Sequence, residues 1–538
     1  MQKKLLKIHP SDNVAVALVD LKVGELVSFE NTEIEIISKV KAKHKIALQN
    51  IDKGEKVFMY GVLIGKASKP IKKGEILTTD NIIHKSQKVT KKTASVKWVA
   101  PKVEKWKNKT FLGYHREDGQ VGTDNVWLFF PLVFCENRNI EILKEIFEKE
   151  LLEQHTSTHQ LLLRSLVQNE FGDTKEQTTQ NKDAVFKNIK VKFITHEGGC
   201  GAIRQDAESL AKLLAGYVNN ANVAGATVLS LGCQNLQIEM FNDALKKINP
   251  NLKKPVLIFE QQKLETIDLM LQMAVKDSFI EIKKANNIKR KAAPLSELKI
   301  GLECGGSDGF SGISANPVLG LVSDMLVTLG GTAVLSEFPE LCGVEQEIMN
   351  RCEKNTDAEK FLKLMKDFET SVINAGSSFD MNPSPGNIKD GLITDAMKSA
   401  GAAKKGGSSP VVDVLDYGEY LSKSGLNLLC TPGNDVESTT ALVGTGVNLV
   451  LFTTGLGTPT GNPIVPVIKI SSNSTLANTM NDIIDFDAGK IIQGEIQIEE
   501  MADQLLNLIL DVASGKILTK SMKLGQDDFI PWRRGVSL

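Results

Sequence analysis

The chain has 538 residues, too many for one hydrophobic core, and a prior of about 150 residues per domain predicts three or so units. Its 64 Lys and Arg nearly balance 65 Asp and Glu, and the net charge of -1 speaks against nucleic acid as a partner. No apolar run reaches the roughly 18–20 residues of a membrane span, and the first residues lack a secretory apolar core, so no membrane partner and a cytoplasmic location are expected.

Seven cysteines, an odd number in a long chain without a signal segment, predict reduced thiols or metal ligands over a disulfide framework. All seven histidines precede residue 200. Chemistry in the remainder must therefore use carboxylates, Lys, Cys or hydroxyls, or borrow a histidine from the first part.

Residues 1–84 alternate short apolar runs with Gly-centred turns (Val23-Gly24-Glu25, Lys53-Gly54-Glu55, Lys73-Gly74-Glu75), which predicts a small β-rich module. Lys43-His44-Lys45 and Tyr60-Gly61 lie within it; a lone His there is more often structural than a ligand. Residues 85–109 carry nine lysines and one glutamate, the composition of a solvated linker.

From 110 to 290 apolar runs alternate with helical patterns. Trp127–Phe134 ends in Cys135, Val191–Ile194 leads to Cys200, and Ala226–Leu231 leads to Cys233, with polar loops rich in Gln and Asn near 168–182. From 291 to 538 the alternation continues: runs at 298–302, 332–335, 426–429, 447–452 and 465–470 end in polar clusters. This pattern predicts an α/β fold with two domains whose sheets are largely parallel. Cys342 and Cys352 read as helical.

The stretch Glu303-Cys304-Gly305-Gly306-Ser307-Asp308-Gly309 joins a strand to a helix, and its glycines let backbone approach a ligand. The bland alternative is a tight turn, and the glycines match neither the dinucleotide nor the P-loop pattern. Ligands of open α/β sheets bind outside the carboxyl ends of strands, where Cys135, Cys200, Cys233, Cys304 and Cys430 also fall. Soft ligands for iron or zinc and buried free thiols are both compatible with that placement. The residues by themselves thus lead to a metal- or carboxylate-assisted enzyme acting on a small polar molecule.

Together with Ile8–Leu18, Gly113–Asn125, Leu231-Gly232-Cys233, Asn382-Pro383-Ser384-Pro385-Gly386-Asn387 and Pro432-Gly433-Asn434-Asp435, these stretches resemble the altronate/galactarate dehydratase family over nearly the whole chain, including its SAF-type β module. Ser296-Glu297-Leu298-Lys299 and Phe486-Asp487-Ala488-Gly489 favour the altronate branch. Three positions depart from the family pattern: Asp80 stands where His is frequent, Asp124 where Arg is common, and Gln234 where Glu is common.

The resemblance implies dehydration of D-altronate to 2-dehydro-3-deoxy-D-gluconate in hexuronate catabolism, with Fe2+ or Mn2+ as cofactor. A small-molecule sugar acid is then the partner, and a homo-oligomer is compatible with it. It suggests a metal shared between His44 or Asp80 and later thiols (Cys135, Cys200, Cys233, Cys304), with Glu303, Asp308, Lys404 or His44 as acid–base groups. Gly305, Gly306, Ser307, Ser384, Asn387, Asn434 and Asp435 would hold the sugar acid. The alternatives are galactarate dehydration, an iron-dependent sulfolactate sulfo-lyase, an iron-sulfur cluster on three of the four cysteines, and a non-catalytic sugar-acid-binding protein.

Overall fold

The computed structural model describes residues 3–30, 32–86, 89–151, 158–167 and 184–538. The polar loops near 168–182 lie outside these residues. The N-terminal module is built of short antiparallel pairings. One sheet joins Leu5–Leu6, Val14–Ala17 and Lys45–Ala47; a hairpin pairs Leu26–Phe29 with Thr32–Glu35; a third group joins Lys56–Met59, Val62–Ala67 and Ile82–Ile83.

Two parallel sheets follow. The first runs Lys190–Phe193, Val126–Pro131, Val223–Ser230, Val256–Glu260 in spatial order. Val126–Pro131 and Val223–Ser230 are buried at every position, as strands covered on both faces by helices must be. The second sheet runs Val411–Leu415, Gly425–Leu429, Thr332–Leu335, Lys299–Cys304, Leu449–Thr454, Val467–Ser471, Phe486–Asp487, all parallel. The chain enters this sheet at its central strand, Lys299–Cys304, builds one side, then crosses to build the other. The crevice at that switch point is where an open α/β sheet presents a ligand site.

The module is not suspended on a free tether. Val14, Val57, Tyr60 and Ile64 share one continuous core with Phe310, Ile313, Leu392 and Met397 of the last domain. The lysine-rich segment predicted as a solvated linker is docked as well. Lys92 Nζ donates to the Cys352 carbonyl at 2.5 Å, Thr93 and Ala94 N–H bond Asn350, and the buried Trp106 donates to Asp503 at 3.1 Å. Its apolar anchors, Val103 and Trp106, outweigh the solvation of its lysines. A strand at Lys291–Pro294 pairs back onto Thr110–His115 and so ties the start of the last domain to the start of the middle one.

Candidate active site

The central strand Lys299–Cys304 is apolar from Ile300 to Leu302 and at its end delivers Glu303 and Cys304 to the crevice, both buried. Its neighbour Thr332–Leu335 delivers Ser336 and Glu337. Glu337 has φ 64, a left-handed conformation that costs a non-glycine residue about 1–3 kcal/mol. That turn swings its carboxylate back over Cys304, so that Oε2 accepts from the Cys304 N–H at 3.2 Å and lies 3.4 Å from Sγ. The thiol donates to Glu340 Oε2 at 3.0 Å.

Two lysines close the cluster. Lys405 Nζ stands 2.7 Å from Cys304 Sγ and 2.5 Å from Glu337 Oε2, fully enclosed. Lys398 Nζ pairs with Glu340 Oε1 at 2.6 Å and donates to Asn382 Oδ1 at 2.8 Å. Behind them Glu303 Oε2 accepts from Ser336 at 2.8 Å and Ser438 at 2.6 Å. At the rim lies Asp435, the first residue of helix Asp435–Gly444; Gly305 is required beside it, because a Cβ there would overlap Asp435 Oδ2.

So many buried charges persist only because they compensate one another. Burial, then the charge of Glu337, raises the Glu303 pKa well above its ordinary value. Burial and Glu340 also raise Glu337. For Glu340 burial is outweighed by Lys398 and Lys405, which hold it ionised. Burial likewise opposes the Lys405 ammonium, but the surrounding acidic groups keep its pKa well above the usual value. Burial, with Glu337 and Glu340 adding to it, brings Asp435 to about 7.

The glycine-rich loop is clamped to this site from the N-terminal module. Lys43 Nζ reaches Asp308 Oδ2 at 3.0 Å and Asp390 Oδ1 at 3.1 Å. Lys45 Nζ donates to the carbonyls of Gly391 at 2.7 Å and Lys43 at 3.0 Å, and burial brings its pKa down to about 7. A side chain at Gly309 would run into the Lys43 carbonyl and lie 2.9 Å from Lys45 Nζ; one at Gly312 would run into the Tyr60 hydroxyl. Lys43 (φ 77) and Tyr60 (φ 59) are themselves in the left-handed region. With Glu337 they make three of the four non-glycine residues so strained among the described residues; Glu337 lies in the cluster and the other two pack on the glycine-rich loop.

Three family models match in succession: the altronate/galactarate dehydratase SAF domain over residues 3–85, the second domain of D-galactarate dehydratase/altronate hydrolase over 113–286, and the D-galactarate/altronate dehydratase C-terminal domain over 295–537. The chain is 36% identical to altronate dehydratase of Bacillus subtilis over 520 residues, 96% of each chain. It is 36% identical to altronate dehydratase of Escherichia coli over 95% of each. The chain belongs to the altronate/galactarate dehydratase family. To galactarate dehydratase (L-threo-forming) of Escherichia coli it is 31% identical over 97% of this chain and 94% of the relative.

Within this dehydratase chain the predicted residues divide. Glu303, Cys304, Gly305 and Asp435 meet in one cluster. Asp308 lies outside that cluster, buried and bonded by Phe310 N–H, Ser311 N–H and Oγ, Ser472 Oγ, Asn473 Nδ2 and Lys43. Ser384 and Asn387 form a capping box, and Asn387 Nδ2 holds the Ser307 carbonyl at 2.7 Å, so these residues shape the loop. Gly306 (φ 58) bends it, its carbonyl accepting from Gly455 and Leu456. Asn434 caps helix Asp435–Gly444. Lys404 is turned away from the cluster, and its neighbour Lys405 enters instead. A one-residue offset in a tight turn is invisible to sequence reading, as is the backbone twist at Glu337.

Among the described residues, His44 and the four cysteines expected to share a metal do not come together as one ligand group. His44 is half-buried, made less basic mainly by burial, with Nδ1 3.2 Å from the Ala42 carbonyl. Asp80 is exposed. Cys135, Cys200 and Cys233 stay with the middle sheet, where Cys200 and Cys233 lie close enough for their charge to reach Cys135. Their loops are tied together: Phe134 N–H to Gly198 O at 3.0 Å, and Leu236 N–H to Gly199 O at 3.0 Å. Beside Cys200 opens a cavity of about 390 Å³ lined by His196, Asn235, Trp532 and Arg533. None of its lining residues belongs to the Cys304 cluster, and volume alone carries no chemistry; the compensated buried charges mark the cluster as the candidate site.

The divalent ion that the family resemblance implies fits the cluster in kind. Cys304, Glu337 and Glu340 offer ligand atoms within 4.8 Å of one another, and Glu303 Oε1 and Glu337 Oε1 are buried without a donor. Lys405 stands among the same atoms, so its ammonium and an ion are alternative sources of one positive charge.

Proposed function

We propose that this chain is an altronate dehydratase, eliminating water from D-altronate to give 2-dehydro-3-deoxy-D-gluconate. The observation that carries the reading is the buried Glu303–Cys304–Glu337–Glu340–Lys405 cluster at the sheet's switch point. The higher identity to altronate than to galactarate dehydratases supports the choice of substrate.

The elimination removes the C2 proton beside the carboxylate and expels the C3 hydroxyl as water; the enol left behind tautomerises to the keto acid. Asp435, at the rim with a pKa near neutrality, is the group matched to accept the C2 proton. Glu303 and Glu337, both raised above their ordinary values mainly by burial, are the carboxyls suited to give a proton to the departing hydroxyl. Lys405 and Lys398 place fixed positive charge where the enediolate develops, at buried side chains. A ferrous or manganous ion held by Cys304, Glu337 and Glu340 would supply Lewis-acid stabilisation of the same charge in place of the Lys405 ammonium. All seven cysteines are free, which suits a reducing cytoplasm, and no helix among the described residues is long and apolar enough to cross a membrane.

A second cofactor reading rests on the nearness of Cys200, which lines the cavity, and Cys233 to Cys135: three thiolates that could hold an iron-sulfur cluster. The deciding experiment measures keto-acid formation by anaerobically prepared protein supplied with ferrous iron, on altronate and galactarate separately, with visible absorbance recorded before assay. Product from altronate supports the main reading; product from galactarate alone transfers it to the other branch. No product from either overturns it, and cluster absorbance lost in Cys135→Ala selects the second cofactor.

A further inference from the structure

Outside the catalytic cluster, one more group of metal-ligating side chains comes together among the described residues: His84, Cys342 and Asp395. Their ligand atoms all lie within 4.8 Å of one another. The three come from separate parts of the chain. His84 follows the last strand of the N-terminal module, Ile82–Ile83. Cys342 follows the short helical turn Phe338–Leu341, and Asp395 opens helix Asp395–Ala402 behind its N-cap Thr394. Cys342 had read as helical, yet it closes that turn, and this is what frees its side chain to face the helix.

Asp395 is 1% exposed, and its Oδ2 is buried with no donor. Its Oδ1 has only a long bond from Ser399 Oγ at 3.4 Å. The lysine on the same helix, Lys398, is committed to Glu340. A buried carboxylate oxygen left without a partner costs several kcal/mol unless a cation or donor meets it. The Cys342 thiol lies beside the same carboxyl, whose charge raises its pKa after burial. Thiolate, imidazole and carboxylate form the ligand set of zinc, whose tetrahedral geometry needs ligand atoms about 3.3–3.7 Å apart.

We propose that His84, Cys342 and Asp395 bind a zinc-class divalent cation that clasps the N-terminal module to the catalytic domain. On binding, the Cys342 thiol gives up its proton to solvent, and the ion takes up the free Asp395 oxygen. Cys342 lies two residues beyond Glu340, and Asp395 three residues before Lys398. The clasp therefore also braces the Glu340–Lys398 pair at the edge of the catalytic cluster. It is separate from any ion held by Cys304.

The test uses the full-length protein stripped with a chelator and titrated with Co2+ alone. Wild type and Cys304→Ser should both develop a thiolate-to-cobalt charge-transfer band with tetrahedral visible bands, and Cys342→Ser should lose them. Tightly bound Zn2+, counted by elemental analysis after dialysis, should fall by one equivalent per chain in Cys342→Ser. It should also fall in the milder His84→Gln and Asp395→Asn variants, which cover the case in which Cys342→Ser does not fold. A band that persists in Cys342→Ser, zinc content unchanged in His84→Gln and Asp395→Asn, or no band in wild type would each overturn the proposal.

Discussion

Lys43 of the N-terminal module lies 3.0 Å from Asp308 of the glycine-rich loop, and Asp308 is completely buried beneath it. Asp308 has other donors, so the ion pair's part is to dock the module more than to rescue a bare charge. Lys43→Ala should cost about 1–3 kcal/mol in thermal or denaturant unfolding. It should also lower keto-acid formation at least tenfold, with Lys43→Arg recovering part of both. Unchanged turnover in a destabilised Lys43→Ala would mean the module does not close the site.

Lys405 and Lys404 make a paired test of the turn that separates them. Lys405→Met leaves Glu337 and Cys304 facing an apolar end in a closed site; a loss of about 3–5 kcal/mol in stability and about 100-fold or more in kcat is expected. Lys404→Met should stay within a few-fold of wild type in both. Equal losses for the two would contradict the placement of Lys405.

Gly305 offers a steric probe of Asp435. In Gly305→Ala the new methyl overlaps Asp435 Oδ2 and crowds the Phe452 ring, so the carboxylate must move. The expected result is a fall in kcat of about tenfold to 100-fold, since misplacement by an ångström carries that penalty. Melting temperature, read by calorimetry, should change far less than in Lys405→Met.

The pH profile carries a signed prediction. Burial brings Asp435 to about 7 from an unfolded value near 4. The folded state thus holds a proton that the unfolded state has released, and this contribution to stability is full below about pH 4 and is lost as pH rises through about 7. Activity runs the other way, because the base must be ionised: kcat should rise with unit slope up to about pH 7 and then level. Asp435→Asn should remove both the rising limb and most of the turnover; an unaltered limb in that variant would assign the base elsewhere.

Much of the architecture was legible in the residues. Apolar runs of four to eight ending in polar clusters, alternating with helical patterns, specify parallel strands covered on both faces, because the periodicity of burial is written along the chain itself. The glycine-rich motifs pointed to the crevice that holds the charged cluster for a related reason, since backbone that approaches other backbone or a carboxylate has no room for Cβ, as at Gly305 and Gly309.

What only the tertiary structure decided was which charges meet. Glu337, Glu340, Lys398 and Lys405 carry no motif that marks them as a set; they come together because adjacent parallel strands end side by side and Glu337 is held in a left-handed turn. The same holds for Lys43, Lys45 and Tyr60, whose value lies in packing against a loop distant in sequence, and for the segment after residue 85, whose buried Val103 and Trp106 override its lysines. Electrostatic compensation and interdomain packing depend on distances through space, and in a chain of this length those distances follow from the fold and not from spacing in the sequence.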